Sequence, residues 1–132
     1  MDILRKITNA KNGNVVFTGS VAERMNGINV EFNDVDFIVL DLDGLESFGK
    51  LETFTTKSVF SESGKRAFVK RLGGFDFDIF VEEKLPEFIE YEGVKYETLE
   101  SMIKWTEKTI SKTTDHRIKE ILVLRLKKLK NE

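Results

Sequence analysis

Two runs of alternating apolar and polar residues, joined by a glycine pair, constrain the fold of this chain most strongly. Residues 65–72 and 75–82 alternate in this way on either side of Gly73-Gly74. Alternation with a period of two is typical of a β-strand, and paired glycines supply the positive φ angles of a tight hairpin turn. The segment therefore predicts a β-hairpin in which a two-residue turn places Val69 opposite Asp78.

Further strands and a short helix are predicted around this hairpin. Residues 15–18 are a β-branched apolar run, and residues 34–40 are apolar enough for a strand that is buried on both faces. Residues 21–25 can form one or two helical turns between these strands. Residues 45–54 are ambiguous and can be helical, and Pro86 is expected to close the sheet.

The last third of the chain carries apolar residues at helical spacing. This pattern predicts two amphipathic helices, the first beginning at Thr98 and the second at Thr114 or Asp115. Trp105 lies off the apolar stripe of the first helix and can contact either the edge of the core or a partner. The basic residues of segment 125–130 are interleaved with leucine, which indicates the solvated side of the second helix and not a nucleic-acid-binding patch.

Together, these segments predict an α+β fold with a mixed, mostly antiparallel β-sheet flanked by helices. A length of 132 residues is typical of one domain, and a hydrophobic fraction of 40% is enough for a packed core. We expect a single domain over residues 1–132. Its core is expected at about 1–85 and a C-terminal helical pair at about 97–130.

The charge and the cysteine content exclude several classes of function. The 21 basic and 23 acidic residues leave a net charge of −2, which argues against tight binding of nucleic acid. The chain has no cysteine, so a disulfide scaffold and a thiolate metal site are excluded. The N-terminus lacks the apolar run of a signal peptide, and no segment approaches the roughly 20 apolar residues of a membrane span. We therefore expect a cytoplasmic protein without a membrane partner.

A glycine–serine turn and a pair of aspartates carry the strongest chemical signal. Asp34 and Asp36 are two residues apart on a predicted strand, so both side chains leave the same face. Two adjacent carboxylates repel each other, and a divalent cation between them removes that cost. Mg²⁺ suits such a pair because it prefers hard oxygen ligands and completes its shell with water and substrate phosphates. Gly19-Ser20 lets the backbone approach a ligand closely, and a helix that begins directly after Ser20 favours an anion there.

Gly19-Ser20, a short spacer, and Asp34-x-Asp36 followed by Phe-Ile-Val resemble the signature of the polymerase-beta-type nucleotidyltransferases. In that family a third carboxylate arrives on a later strand, and residues 75–81 supply a predicted strand that carries two aspartates. The resemblance covers about half of the chain. It implies the nucleotidyltransferase fold and a site in which three carboxylates hold two Mg²⁺ ions, for which Mn²⁺ can substitute.

The third carboxylate can belong to Asp76 or to Asp78, since both side chains point to the same face. The predicted hairpin places Arg71 opposite Asp76, and a cross-strand cation gives that carboxylate a structural role. Asp78 faces an apolar residue and has no evident partner, which is costly unless a cation satisfies it. We therefore expect Asp34, Asp36 and Asp78 to be the catalytic and metal-binding residues, with Asp76 in reserve.

Two positions depart from the pattern of the family. Many small members carry Arg three positions after the serine, where this chain has Glu23, and Asn33 replaces a frequent Ser before the first aspartate. A Glu23 carboxylate that pointed into the site would repel phosphate, so other cations are needed. The expected nucleotide-binding residues are Gly19, Ser20, Arg24, Lys65, Arg66 and Lys70.

The resemblance implies Mg²⁺-dependent transfer of a nucleoside monophosphate from a nucleoside triphosphate to a hydroxyl acceptor. The chain is small for this reaction, so a protein partner or a second copy in a homodimer can hold the acceptor. Two other interpretations stay open. One is a catalytically inactive module of the same fold that binds a nucleotide or a partner protein, as in toxin–antitoxin or phage-defence pairs. The other is a nucleic-acid-binding domain, which the charge disfavours.

Overall fold

The structure is a computed structural model that describes residues 2–55, 63–70 and 74–131. Within these ranges the protein has an α+β fold with a seven-stranded mixed sheet and four α-helices, the last two of which form a C-terminal pair. The elements in chain order are α1 (Asp2–Ala10), β1 (Val15–Thr18), α2 (Gly19–Met25), β2 (Asp34–Val39), a 3₁₀ helix (Leu45–Phe48), β3 (Glu52–Thr55), β4 (Lys65–Val69), β5 (Asp76–Val81), β6 (Phe88–Tyr91), β7 (Val94–Glu97), α3 (Leu99–Lys112) and α4 (His116–Leu129).

The strands lie in the order β3-β4-β5-β2-β1-β7-β6. The β2–β5 and β1–β7 pairs are parallel, whereas the other four pairs are antiparallel. The predicted α+β class and the mixed, mostly antiparallel sheet are therefore confirmed. Strand β2 runs antiparallel to β1, which places Thr18 opposite Asp36.

The expectation that Pro86 closes the sheet is wrong. Strands β6 and β7 follow Pro86 as a hairpin, and β7 pairs with β1 so that Phe17 lies opposite Tyr96. The hairpin turns at Glu92 and Gly93, which both have positive φ angles, of 51° and 80°. Two consecutive residues with positive φ are what a two-residue hairpin turn requires, so Gly93 between two short apolar runs was the available signal.

The predicted register of the β4–β5 hairpin is also wrong, by one residue. Val69 lies opposite Phe77, and Phe68 lies opposite Asp78. The connection between the two strands is longer than a two-residue turn, because β4 ends at Val69 and β5 begins only at Asp76. The register changes which side chain shares a face with Asp78, since neighbours along a strand alternate between faces. The predicted pairing of Arg71 with Asp76 lies outside the described residues.

The two C-terminal helices begin as predicted. The Thr98 hydroxyl accepts a hydrogen bond from the Ser101 N–H at 3.0 Å, which caps α3. Asp115, the second of the two predicted candidates, accepts hydrogen bonds from the first N–H groups of α4. Residues 45–54 contain a 3₁₀ helix followed by the beginning of β3. Among the residues described, no helix is long and apolar enough to cross a membrane.

The sheet has one apolar face and one mixed face because successive strand residues point to opposite sides. Leu4 and Ile7 of α1 pack against the apolar face together with Leu45 of the 3₁₀ helix. The buried strand residues of this face include Val15, Phe17, Val35, Phe37, Val39, Ala67, Val69, Phe77, Ile79 and Tyr96. The opposite face carries the aspartates of β2 and β5, and these lie toward the C-terminal helices.

Phe37 stands at the centre of the apolar face, with no exposed surface. Its ring lies 5.7 Å from that of Phe17 and 5.9 Å from that of Phe77, measured between centroids. We predict that Phe37→Ala lowers the free energy of unfolding by about 3–5 kcal/mol, because it leaves a cavity in the core. Urea unfolding followed by circular dichroism measures this change. The control is Tyr91→Ala, which removes an aromatic ring that is 57% exposed and should cost far less.

Candidate functional site

Four aspartates occupy matching positions on two neighbouring parallel strands. In the register of β2 with β5, Asp34 lies beside Asp76 and Asp36 lies beside Asp78. Residues that are paired in register point to the same face of a sheet, so the structure brings all four carboxylates to one side. Asp36 and Asp78 are half-buried, whereas Asp34 at the strand end is exposed.

A cavity of about 1040 Å³ lies between this face and the C-terminal helices. Asp36 and Asp78 line it together with Thr18 and Gly19 at the end of β1. Arg66 enters from β4 and Arg125 from α4, and Lys84 is a third basic residue of the lining. Glu82, Glu83 and Glu97 add three carboxyl groups to those of Asp36 and Asp78. Its apolar lining is formed by Ile38, Phe80, Leu85, Pro86, Met102 and Trp105.

Asp36 is the most strongly perturbed acid of this cavity. Burial, followed by the neighbouring charges of Asp78 and Asp34, raises the pKa of its carboxyl group to about 6. Arg125 and Arg66 act in the opposite direction on this pKa. A nearby cation stabilises the ionised form of such a carboxylate, because it offsets both the desolvation and the repulsion.

Asp78 has a partner that sequence reasoning did not identify. The Nη2 atom of Arg66 donates a hydrogen bond to Oδ2 of Asp78 at 2.6 Å, so the expectation that this carboxylate lacks a partner is wrong. The corrected register explains the contact, because it sets Phe68 opposite Asp78 and brings Arg66, two residues earlier, onto the same face. The guanidinium also lies over the ring of Phe80, 4.7 Å from its centroid. Arg66 was predicted to bind nucleotide, and it lines the cavity.

Gly19 begins α2 and touches the acid at the centre of the site. Its φ angle is +61°, and a Cβ atom at this position would lie 2.3 Å from Oδ2 of Asp36. Both the backbone conformation and the close approach therefore require glycine. The predicted short helix after β1 is present, and it begins at Gly19, two residues earlier than expected. Ser20 is half-buried and is not among the residues that line the cavity.

Several predicted site residues do not reach the cavity. Asp34 is exposed, and Asp76, beside it, also lies outside the lining. The three remaining predicted cations, Arg24, Lys65 and Lys70, are exposed and do not line the cavity. Lys65 points away from the cavity because side chains alternate between the two faces along β4, and its neighbour Arg66 is on the cavity face. Lys70 follows the last residue of β4.

Glu97 is a buried acid of the cavity wall that sequence reasoning missed. Its Oε1 atom accepts a hydrogen bond from the Thr18 hydroxyl at 2.5 Å, and its Oε2 atom accepts one from the Ser101 hydroxyl at 2.6 Å. The carboxylate thereby ties the end of β1 to the start of α3 across strand β7. It could not be placed from the sequence because the prediction ended the sheet before β7.

Arg125 is the second residue that sequence reasoning missed. The basic segment 125–130 was expected to be a solvated helix side, yet the Arg125 side chain is only 28% exposed and lines the cavity. It lies beside Glu23, whose carboxylate is buried between α2 and α4. Glu23 therefore faces α4 and does not line the cavity. In this position its carboxylate does not point at a phosphate group bound in the cavity.

No three His, Cys, Asp or Glu side chains among the described residues are already arranged around a metal position. The Asp78 carboxylate is directed to Arg66. Comparison of the chain with protein-family models, with curated proteins and with solved structures finds no match.

We predict that Gly19→Ala destabilises the protein more than Gly27→Ala does. Both glycines have positive φ angles, of +61° and +89°, so both substitutions introduce backbone strain of about 1 kcal/mol. Only at Gly19 does the new methyl group meet a neighbour, Asp36, whereas nothing lies within 4 Å at Gly27. Chemical denaturation of both variants measures the difference, which isolates the contact with Asp36. Equal losses in the two variants would contradict the close approach.

We predict that Asp36→Asn stabilises the metal-free protein at pH 8 and that this gain disappears toward pH 4. The folded-state pKa of Asp36 is raised from 3.8 to about 6, so the folded protein binds this proton more tightly than the unfolded chain. The contribution of Asp36 to the free energy of unfolding of the wild type is therefore present at low pH and is lost as the pH rises through 6. Thermal unfolding in EDTA between pH 4 and pH 8 tests this. The exposed Asp43, changed to Asn, is the control and should leave the pH profile unaltered.

Proposed function

We propose that this protein is a Mg²⁺-dependent nucleotidyltransferase of the polymerase-beta type. The observation that carries the proposal is the pair Asp36 and Asp78, which lie side by side on parallel strands in the wall of a cavity, with the Gly19 turn against Asp36. The order of parts along the chain supports it: a strand, a Gly-Ser turn into a short helix, an antiparallel strand with Asp-x-Asp, and a later aspartate strand.

The donor chemistry of the site fits Mg²⁺. Asp36 and Asp78 offer hard carboxylate oxygens. Burial, followed by the neighbouring negative charges, raises the pKa of Asp36, and a bound divalent cation would offset both effects. In this proposal Asp34, Asp36 and Asp78 hold the metal, and Asp76 is the reserve for Asp78. Two Mg²⁺ ions are proposed by the resemblance, and when bound they supply charge neutralisation of the phosphates and a lowered pKa of the attacking hydroxyl.

The residues of the chain contribute orientation and proton transfer. Gly19 allows the backbone to approach the phosphates, because any side chain there would collide with Asp36. Arg66 balances the charge of Asp78 and offers a cation in the cavity wall to the phosphate oxygens. In this proposal the Asp78 carboxylate accepts the proton of the acceptor hydroxyl.

The proposed reaction joins the acceptor oxygen to the α-phosphorus of a nucleoside triphosphate. The bond between that phosphorus and the bridging oxygen breaks, and its electron pair leaves with pyrophosphate. The cavity of about 1040 Å³ is at the upper end of the range for small-molecule sites, roughly 300–1,000 Å³, so it has room for a nucleotide. The hydroxyl acceptor then enters from the solvent side, alone or presented by a protein partner.

We predict that each nucleoside triphosphate that binds does so only with Mg²⁺ or Mn²⁺, and that Asp36→Asn and Asp78→Asn each weaken this binding at least about tenfold, by loss of a metal ligand. Calorimetric titration with the four triphosphates, with metal and with EDTA, measures it. Transfer of an α-labelled phosphate to acceptor or water is then expected to fall with the same substitutions. Asp43→Asn removes the same charge outside the cavity and should bind like the wild type.

A second candidate is a catalytically inactive module that binds a nucleotide or a partner protein. The ion pair between Arg66 and Asp78 favours it, because a carboxylate already neutralised by a guanidinium needs no metal. This candidate predicts triphosphate binding that persists in EDTA and survives Asp36→Asn. The same titration therefore separates the two functions, since metal-independent binding would end the proposal of an enzyme.

A further inference from the structure

A buried carboxylate joins the helix after the Gly-Ser turn to the last helix of the chain. Glu23 of α2 is only 2% exposed. Its Oε2 atom lies 3.3 Å from Nε of Arg125, and its Oε1 atom lies 2.9 Å from Nζ of Lys128. A carboxylate at this depth requires a countercharge, and both countercharges come from α4.

The cluster carries one cation more than Glu23 needs. One carboxylate faces two basic side chains, which leaves a formal charge of +1 when all three are ionised. The two cations differ in position, because Arg125 lines the cavity and Lys128 is not among its lining residues. The excess charge is thus presented to the cavity through Arg125.

The contact between Glu23 and Arg125 is a charge contact without hydrogen-bond geometry. In the described part of the chain, Nε of Arg125 lies 3.3 Å from Oε2 of Glu23 but has no hydrogen-bond partner. The guanidinium is therefore held in place by charge and is not committed to a two-bond pair with the carboxylate. Guanidinium groups in this condition suit phosphate oxygens, which they bind through two parallel N–H donors.

We propose that Arg125, positioned by Glu23, binds the β- and γ-phosphates of the nucleoside triphosphate, an inference that rests on the proposed function. Arg125 lines the same cavity as Asp36 and Asp78 and stands on the helix that packs against the Gly-Ser end of the site. It neutralises charge on the pyrophosphate group as the bond to the α-phosphorus breaks. Glu23 occupies the position where a phosphate-binding arginine was expected, and its role here is to hold a cation that comes from the other end of the chain.

The test compares two substitutions that each remove one positive charge from the same buried cluster. Arg125→Gln removes the cation that lines the cavity, and Lys128→Gln removes the one that does not. The probes are tripolyphosphate with Mg²⁺, a nucleoside triphosphate with Mg²⁺, and the matching nucleoside monophosphate, each titrated by calorimetry. We expect Arg125→Gln to weaken tripolyphosphate and triphosphate binding about tenfold to a hundredfold, as for the loss of a charge-assisted hydrogen bond.

Monophosphate affinity is expected to stay within about twofold in Arg125→Gln, and all three affinities within about twofold in Lys128→Gln. Arg125→Lys should restore part of the tripolyphosphate affinity, because it returns the charge without the two-donor geometry. If Arg125→Gln does not fold, the double variant Glu23→Gln/Arg125→Gln removes the buried carboxylate with its partner and gives the same measurement.

Equal effects of Arg125→Gln and Lys128→Gln on tripolyphosphate would overturn the inference, as would an Arg125→Gln loss of the same size for the monophosphate. The proposed function fails separately. If Asp36→Asn leaves triphosphate binding and transfer unchanged while Arg125→Gln still loses tripolyphosphate, the inference stands as polyphosphate binding and the transferase proposal falls. If Asp36→Asn abolishes binding and Arg125→Gln binds like the wild type, the reverse holds.

Discussion

Negative charge placed on the two central parallel strands sets the chemistry of this protein. Asp36 and Asp78 lie beside each other on β2 and β5, whose alternate residues point into the apolar core. Burial and the neighbouring charges of Asp78 and Asp34 raise the pKa of Asp36 to about 6. The surrounding cations act against this shift: Arg66, in direct contact with Asp78, and Arg125, from across the cavity. Keeping these charged groups together lowers the stability of the folded protein, which is typical of a site that binds a ligand.

The strand order converts short sequence motifs into a single surface. Because β2 runs antiparallel to β1 and parallel to β5, the end of β1 meets the starts of both aspartate strands. Gly19 then contacts Asp36 directly, and the same edge receives Glu97 from β7. Three separate stretches of sequence thus contribute to one wall of the cavity. Helices α3 and α4 close the opposite wall, where Trp105 and Arg125 stand.

Local pattern was sufficient to predict much of the fold. The α+β class, the strands at Val15–Thr18 and Asp34–Val39, and the caps of the two last helices follow from short-range signals: β-branched runs, alternation and side-chain N-caps. The register of the β4–β5 hairpin was predicted wrongly because a glycine pair suggests a tight turn, while the actual connection is longer. That error concealed the partner of Asp78, since one step of register moves every side chain to the other face.

The functional residues that were missed share a physical cause. Glu97 and Arg125 take their roles from contacts with residues 79 and 102 positions earlier in the chain, Thr18 and Glu23. No periodicity within one element reports such a partner. An arginine in an amphipathic helix has the same local pattern whether it faces water or a cavity, so segment 125–130 looked like an ordinary solvated side. The aspartates were found because their signal lies within three residues.

The tie between Glu23 and α4 has a consequence for how the protein is made. The cavity wall draws on residues from Thr18 to Arg125, so it stays incomplete while the ribosome is still adding the last helix. Until then Glu23 lacks both of its countercharges, and a buried, unpaired carboxylate opposes the docking of α2. During synthesis the aspartates are therefore present before the residues of α4 that complete the cavity wall. Synthesis of α4 is the step that joins the two.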